Sequence, residues 1–157
     1  MKINAINIKK YYYEVKKMTD LEMAKEKLIA DKLTICIVKN GEVIYTSVEK
    51  GIYPIYNAAE LMNEDLGGAS IADRVIGKAA AMICKSVSVK SLYTEIITEE
   101  ALSILEAINV VYSKKVPFIK NRDKSDLCPI EKISRTTDNT DELIKKIEEF
   151  LKGIERI

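Results

Sequence analysis

Histidine is absent from the 157 residues. That absence excludes Ser-His-Asp and Cys-His nucleophile arrangements, His-ligated zinc centres and histidine pH switches. Carboxylate, lysine, arginine, tyrosine, hydroxyl and thiol chemistry remain. A net charge is nearly absent too: 25 Lys and Arg stand against 24 Asp and Glu, giving +1. No global field therefore holds a nucleic-acid backbone or an anionic membrane, and neither is an expected partner. The cysteines number three, at 36, 84 and 128, with no Cys-x-x-Cys pair. They make neither a disulfide framework nor a metal-ligand set, so no metal or cofactor is expected, and a reducing cytoplasm is the natural location. No stretch approaches 18 apolar residues, and Met1 to Lys17 has no continuous apolar core before a small-residue cleavage site. Membrane spanning and secretion are not expected.

What is present, 47% hydrophobic and 31% charged residues, fits one globular domain large enough to hold a core without disulfide or metal staples. Residues 1–18, with five lysines and one glutamate, read as a poorly anchored extension, and the domain proper runs over 19–157. Thr19-x-x-Glu22 is a capping box opening a helix over 20–31, with Leu21, Ala24, Leu28 and Ile29 on one face. Leu33–Val38, Asn40-Gly41 and Val43–Ser47 predict a β-hairpin, because Asn-Gly supplies the two positive-φ residues of a type I′ turn. A helix is predicted over 55–62, before Gly67-Gly68, and a central buried helix over 72–85. Leu92–Ile97 reads as a strand, with Thr98 opening a helix that Asn109 ends. Val110–Tyr112 and Val116–Ile119 read as short strands, Pro117 placing the second at an edge or strand end. A polar loop, one or two turns over 128–135 and an amphipathic helix over 140–155 complete the chain. The order predicts a three-layer α-β-α domain with a mixed sheet.

Four groups of residues are candidates for chemistry. Cys128 precedes Pro129, which favours the first position of a helix, so its thiolate would meet a helix amino terminus, with Arg122 and Lys124 nearby. Packing under a short turn is the competing reading. Gly67-Gly68 ahead of the expected central helix, with Ser70, Arg74 and Lys78, suits an anion held by backbone N–H groups, although no P-loop order is present. A lysine snorkelling from an apolar helix is the competing reading for Lys78. Glu95, in an apolar strand, must be paired or held neutral, and such carboxylates occur both at functional sites and in structural pairs. Asn121 and Arg122 follow a strand, where α/β sites commonly form, and an exposed loop is the default for Arg122.

The set Lys39-Asn-Gly-Glu42, Ala72-Asp-Arg-Val-Ile-Gly-Lys-Ala-Ala-Ala81, Val116-Pro-Phe-Ile-Lys-Asn-Arg122 and Cys128-Pro-Ile-Glu131 resembles an uncharacterised prokaryotic domain family with a cytidine-deaminase-like fold, over roughly 19–150. The resemblance implies a mixed sheet opened by a hairpin and sandwiched by helices, and no established activity. Zinc deaminases of that superfamily place His or Cys, then x-Glu, at one helix start and Pro-Cys-x-x-Cys at the next. This chain has neither, near Ser70–Lys78 or near Ile97–Ala101, so zinc deamination is not expected. The resemblance places a pocket between those helix starts, surrounded by Asp73, Lys78, Glu95 and Thr98, for a small polar, phosphorylated or nucleotide-like ligand. Any catalysis falls to Cys128 as nucleophile, Asp73 or Glu95 as acid/base, and Lys78 and Arg122 as anion holders, with Ser70, Thr98 and Asn121 as further ligand contacts. The alternative is a noncatalytic interaction or regulatory module, docking a partner or a second copy as a homo-oligomer.

Overall fold

The computed structural model describes residues 5–157. Its elements are α1 (Ala5–Lys16), α2 (Asp20–Ala30), β1 (Ile35–Lys39), β2 (Glu42–Ser47), α3 (Tyr53–Met62), β3 (Ser70–Ile76), α4 (Lys78–Ser86), β4 (Ser91–Thr98), α5 (Glu99–Ile104), β5 (Asn109–Val116), α6 (Pro129–Ser134) and α7 (Thr140–Gly153). The strands form one mixed sheet in the order β2-β1-β3-β4-β5. β1 runs antiparallel to β2 and β3, whereas β4 lies parallel to β3 and β5.

Local chemistry sets the first half. The Thr19 hydroxyl accepts the Glu22 N–H and the Glu22 carboxylate accepts the Thr19 N–H, closing the capping box of α2. Asn40 and Gly41 turn the hairpin at φ 51° and 78°, as an Asn-Gly type I′ turn requires. The Asp20 carboxylate accepts both of their N–H groups at 2.9 Å, so the start of α2 is tied to the hairpin tip.

Alternation along the strands divides the core. Cys36, Val38, Ala72 and Tyr93 pack against Ala24 and Leu28 of α2 on one face. Ile35, Ile37, Ile71 and Leu92 join the larger cluster built with α3, α4, α5 and α7 on the other. Burial of each large side chain contributes roughly 1.5–3 kcal/mol relative to exposure. The sheet is therefore covered by helices on both faces.

The central helix expected over 72–85 is instead a strand, a glycine and a shorter helix. Ser70–Ile76 is β3, the middle strand, with Ile71 and Ala72 both fully buried. A strand covered on both faces has no polar alternation, so its apolar run merges with the alanines of α4 into what looks like one helical stripe. Gly77 separates the two and caps α4. Gly67-Gly68 accordingly precedes a strand, and Ser70 lies inside that strand rather than at a helix start. The two short strands expected at 110–112 and 116–119 are also revised. A single edge strand, β5, runs through Ser113-Lys-Lys115 and stops before Pro117, because an edge strand tolerates a polar run that an interior one does not. α5 ends at Ile104, and Asn109 opens β5 instead of ending that helix.

Candidate functional site

Parallel strands β3 and β4 carry their carboxyl-terminal ends to the edge of the sheet where α4 begins, the usual place for a site in an α/β domain. There, the segment from Lys50 to Ile55, the end of β3, the first turn of α4 and the segment from Ile119 to Glu131 enclose a cavity of about 410 Å³. Its walls are largely apolar, with Ile52, Ile55, Val75, Ile119 and Ile130 contributing. The polar groups lining it are few: Asp73, Cys128, Glu131 and Thr34, with Lys50, Arg74, Lys120 and Arg122 as cations. An apolar chamber of this size with a few convergent polar groups is the usual form of a small-molecule site.

Asp73 lies on the same sheet face as its partners Ile35 and Thr94. Its Oδ1 accepts the Val75 N–H at 3.1 Å. Burial pushes the carboxyl up to about 7, against the opposing pull of backbone N–H groups and of Arg74. Such a group exchanges a proton near neutral pH, as a general acid or base requires. Behind it, burial, reinforced by the Asp73 charge, pushes the Cys84 thiol far up. Burial also raises Cys36. These two thiols are core groups, whereas Cys128 is half-buried and lines the cavity.

Cys128 occupies the N-cap position of α6, just before Pro129. Its N–H donates to the Ile119 carbonyl at 3.0 Å and its carbonyl accepts the Lys132 N–H at 3.1 Å. Those bonds close the loop that carries Lys120 and Arg122 to the cavity. Glu131 completes the closure: its side chain is only 7% exposed, and its Oε2 accepts the Ile119 N–H at 3.2 Å. This residue was not singled out from the sequence as a site residue. Its signal is the Cys128-x-x-Glu131 spacing, which puts the carboxylate in the first turn of α6 beside the thiol.

Asp73, far in sequence from Arg122 and Cys128, thus shares one cavity with them. The other sequence candidates are engaged elsewhere. Ser70 Oγ and Ser91 Oγ are hydrogen-bonded at 2.6 Å between β3 and β4. Glu95 pairs with Arg74, whose guanidinium also donates to the Leu33 and Leu28 carbonyls at 2.9 Å, on the α2 side of the sheet. Lys78 is buried and donates to Asp138 at 2.7 Å, with Glu100 at 3.5 Å. Thr98 caps α5 by accepting the Ala101 N–H. Asn121 braces its loop through Ser125 and Asp126.

Among the described residues, no group of three His, Cys, Asp or Glu side chains is placed to hold a metal ion. No helix among them is long and apolar enough to cross a membrane.

Among curated proteins, none matches this chain. The fold is similar to the crystal structure of a DUF1893 family protein (TM1506) from Thermotoga maritima, with a TM-score of 0.76 at 22% identity, over 84% of this chain and 90% of that one. Residues 23–151 match the family described as a domain of unknown function, DUF1893, and the chain belongs to that family.

Proposed function

We propose that this domain binds a small nucleotide-like molecule in the cavity beside β3 and acts on it through Cys128 and Asp73. The observation that carries this reading is the convergence of Asp73, Arg122 and Cys128 on one apolar chamber. Apolar walls suit the body of a planar heterocycle. A carboxyl that gains or loses a proton near neutral pH suits its hydrogen-bonding edge, and Arg122 suits an anionic substituent. The architecture is read as cytidine-deaminase-like, supported by the mixed sheet opened by a hairpin and covered on both faces. The thiol step that fits this set is addition across a polarised C=N bond. The Cys128 S–H bond breaks, an S–C bond forms, and the proton reaches the ring nitrogen by way of Asp73.

Native mass spectrometry of the reduced protein, followed by a denaturing run, tests the reading. A retained nucleoside-like compound, lost when Ile55→Trp fills the cavity, supports it. Retention unchanged by that substitution places the compound elsewhere and sinks the proposal. With such a compound as substrate, Cys128→Ser abolishes turnover, and an active serine variant removes the thiol step.

A second reading, a noncatalytic interaction module, draws on β5. This edge strand is open along one side, and Val111 and Tyr112 stand 45% and 43% exposed on it. Concentration-dependent association broken by Val111→Lys but not by Asp73→Ala supports that reading; a monomer at every concentration opposes self-association.

A further inference from the structure

A groove of about 310 Å³ adjoins the cavity, and Lys120 lines both. Three of its cations, Lys120, Lys124 and Arg135, have no carboxylate partner among the described residues. Lys120 Nζ and Arg135 Cζ lie 5.8 and 5.9 Å from the centre of the Phe118 ring. An aromatic face positions a cation without neutralising it. The carboxylate lining the groove, Asp126, is engaged by Lys132 and by the Leu127 N–H. The loop presenting Lys124 is braced as well: the Lys124 N–H donates to the Asn121 carbonyl at 3.1 Å, and Ser125 donates to Asp123. A chain of net charge +1 thus gathers uncompensated positive charge at one end of its cavity.

We infer that the cavity's ligand carries a phosphate tail, which leaves the chamber across Lys120 and is held in the groove between Lys120, Lys124 and Arg135. The inference rests on the cavity reading proposed above and narrows it to phosphate esters. Phosphate oxygens accept several charge-assisted hydrogen bonds at once, and a guanidinium offers two in parallel. The cations are exposed, so the tail's contribution is screened by salt, while the part of the ligand inside the chamber is not.

Isothermal titration calorimetry of the full chain tests this, with the common ribonucleosides, their 5′-monophosphates and their 5′-diphosphates as probes, at low and high salt. The expected result is a nucleotide binding at least roughly tenfold more tightly than its own nucleoside at low salt, with the preference shrinking at high salt. Lys124→Glu and Arg135→Glu remove the preference and leave the nucleoside affinity unchanged, with circular dichroism confirming that both variants fold. Nucleoside and nucleotide binding equally, or a preference that survives both substitutions, overturns the phosphate tail and leaves the cavity reading standing. Absence of binding by every probe overturns the nucleotide-like cavity reading, and this inference with it.

Discussion

The Glu131 carboxylate occupies the space that a side chain at residue 77 would need. A Cβ added to Gly77 would stand 2.7 Å from Glu131 Oε1 and 2.8 Å from Ile119 Cδ1. Gly77 has φ −101°, a conformation open to any residue, so this glycine answers to close approach rather than to backbone strain. Gly77→Ala is expected to destabilise the fold by about 1–3 kcal/mol through overpacking. Urea denaturation of a double-mutant cycle checks the cause. Glu131→Ala costs less in the Gly77→Ala background than in the parent chain, because it opens space for the new methyl group; additive effects would refute the contact.

Arg74 and Glu95 join the two central parallel strands to α2. Arg74 donates to Glu95, to the Leu28 carbonyl at the end of α2 and to the Leu33 carbonyl just beyond it; the Leu28 carbonyl also accepts the Leu33 N–H at 2.9 Å. Arg74→Ala takes a donor from both carbonyls and leaves a half-buried carboxylate without its cation, and is expected to cost about 2–3 kcal/mol. Glu95→Gln keeps a hydrogen-bond acceptor and leaves both carbonyls served, with an expected loss of about 1 kcal/mol or less. Chemical denaturation ranks the two, and equal losses would mean that the ion pair, not the anchoring of α2, carries the effect.

Lys78 has unequal partners. Its own side chain is 8% exposed, whereas those of Asp138 and Glu100 are 95% and 55% exposed. Asp138→Ala leaves Glu100 in place and is expected to cost under about 1 kcal/mol, as an exposed pair does. Lys78→Ala removes packing along the buried stem as well, and is expected to cost about 2 kcal/mol, most of which Lys78→Met restores. Thermal denaturation of the three variants decides it; a methionine variant as unstable as the alanine one would place the contribution in the charge.

These contacts mark where the sequence was legible. The capping box at Thr19-Glu22, the Asn40-Gly41 turn and the apolar stripe of α7 act within a few residues, so composition and spacing reveal them directly. β3 was not legible, because burial on both faces erased its alternation and Ala79–Ala81 extended the apolar run into a helical pattern. The same difference governs the site. Cys128 stood out by its place before Pro129, and Asp73 by the pocket that the family resemblance implies, although the helix assigned to Asp73 is a strand. Glu131 has only the Cys128-x-x-Glu131 spacing as a local signal, and its burial depends on the loop from Ile119, whose N–H it accepts, a tertiary event that spacing does not reveal. Glu95 and Lys78 were rightly noted as charges in apolar settings, and each has a structural partner outside the cavity.

Asp73 makes stability depend on pH in a defined direction. Its carboxyl shifts from the ordinary 3.8 to about 7 in the folded chain, burial being the main cause. Between those values the folded state holds a proton that the unfolded state has released, so this group's contribution to stability declines as pH rises from about 4 to about 7. Above that range the folded protein carries a half-buried, ionised carboxylate without an ion-pair partner among the described residues. Asp73→Asn retains an oxygen for the Val75 N–H and removes the titration. The variant is expected to match the parent in melting temperature near pH 4 and to exceed it near pH 8, with proton uptake on folding near pH 5.5 reduced by about one proton per chain. Thermal scans across pH, together with potentiometric folding titrations, check this. A variant less stable than the parent near pH 8 would show that the ionised carboxylate is satisfied in the folded state.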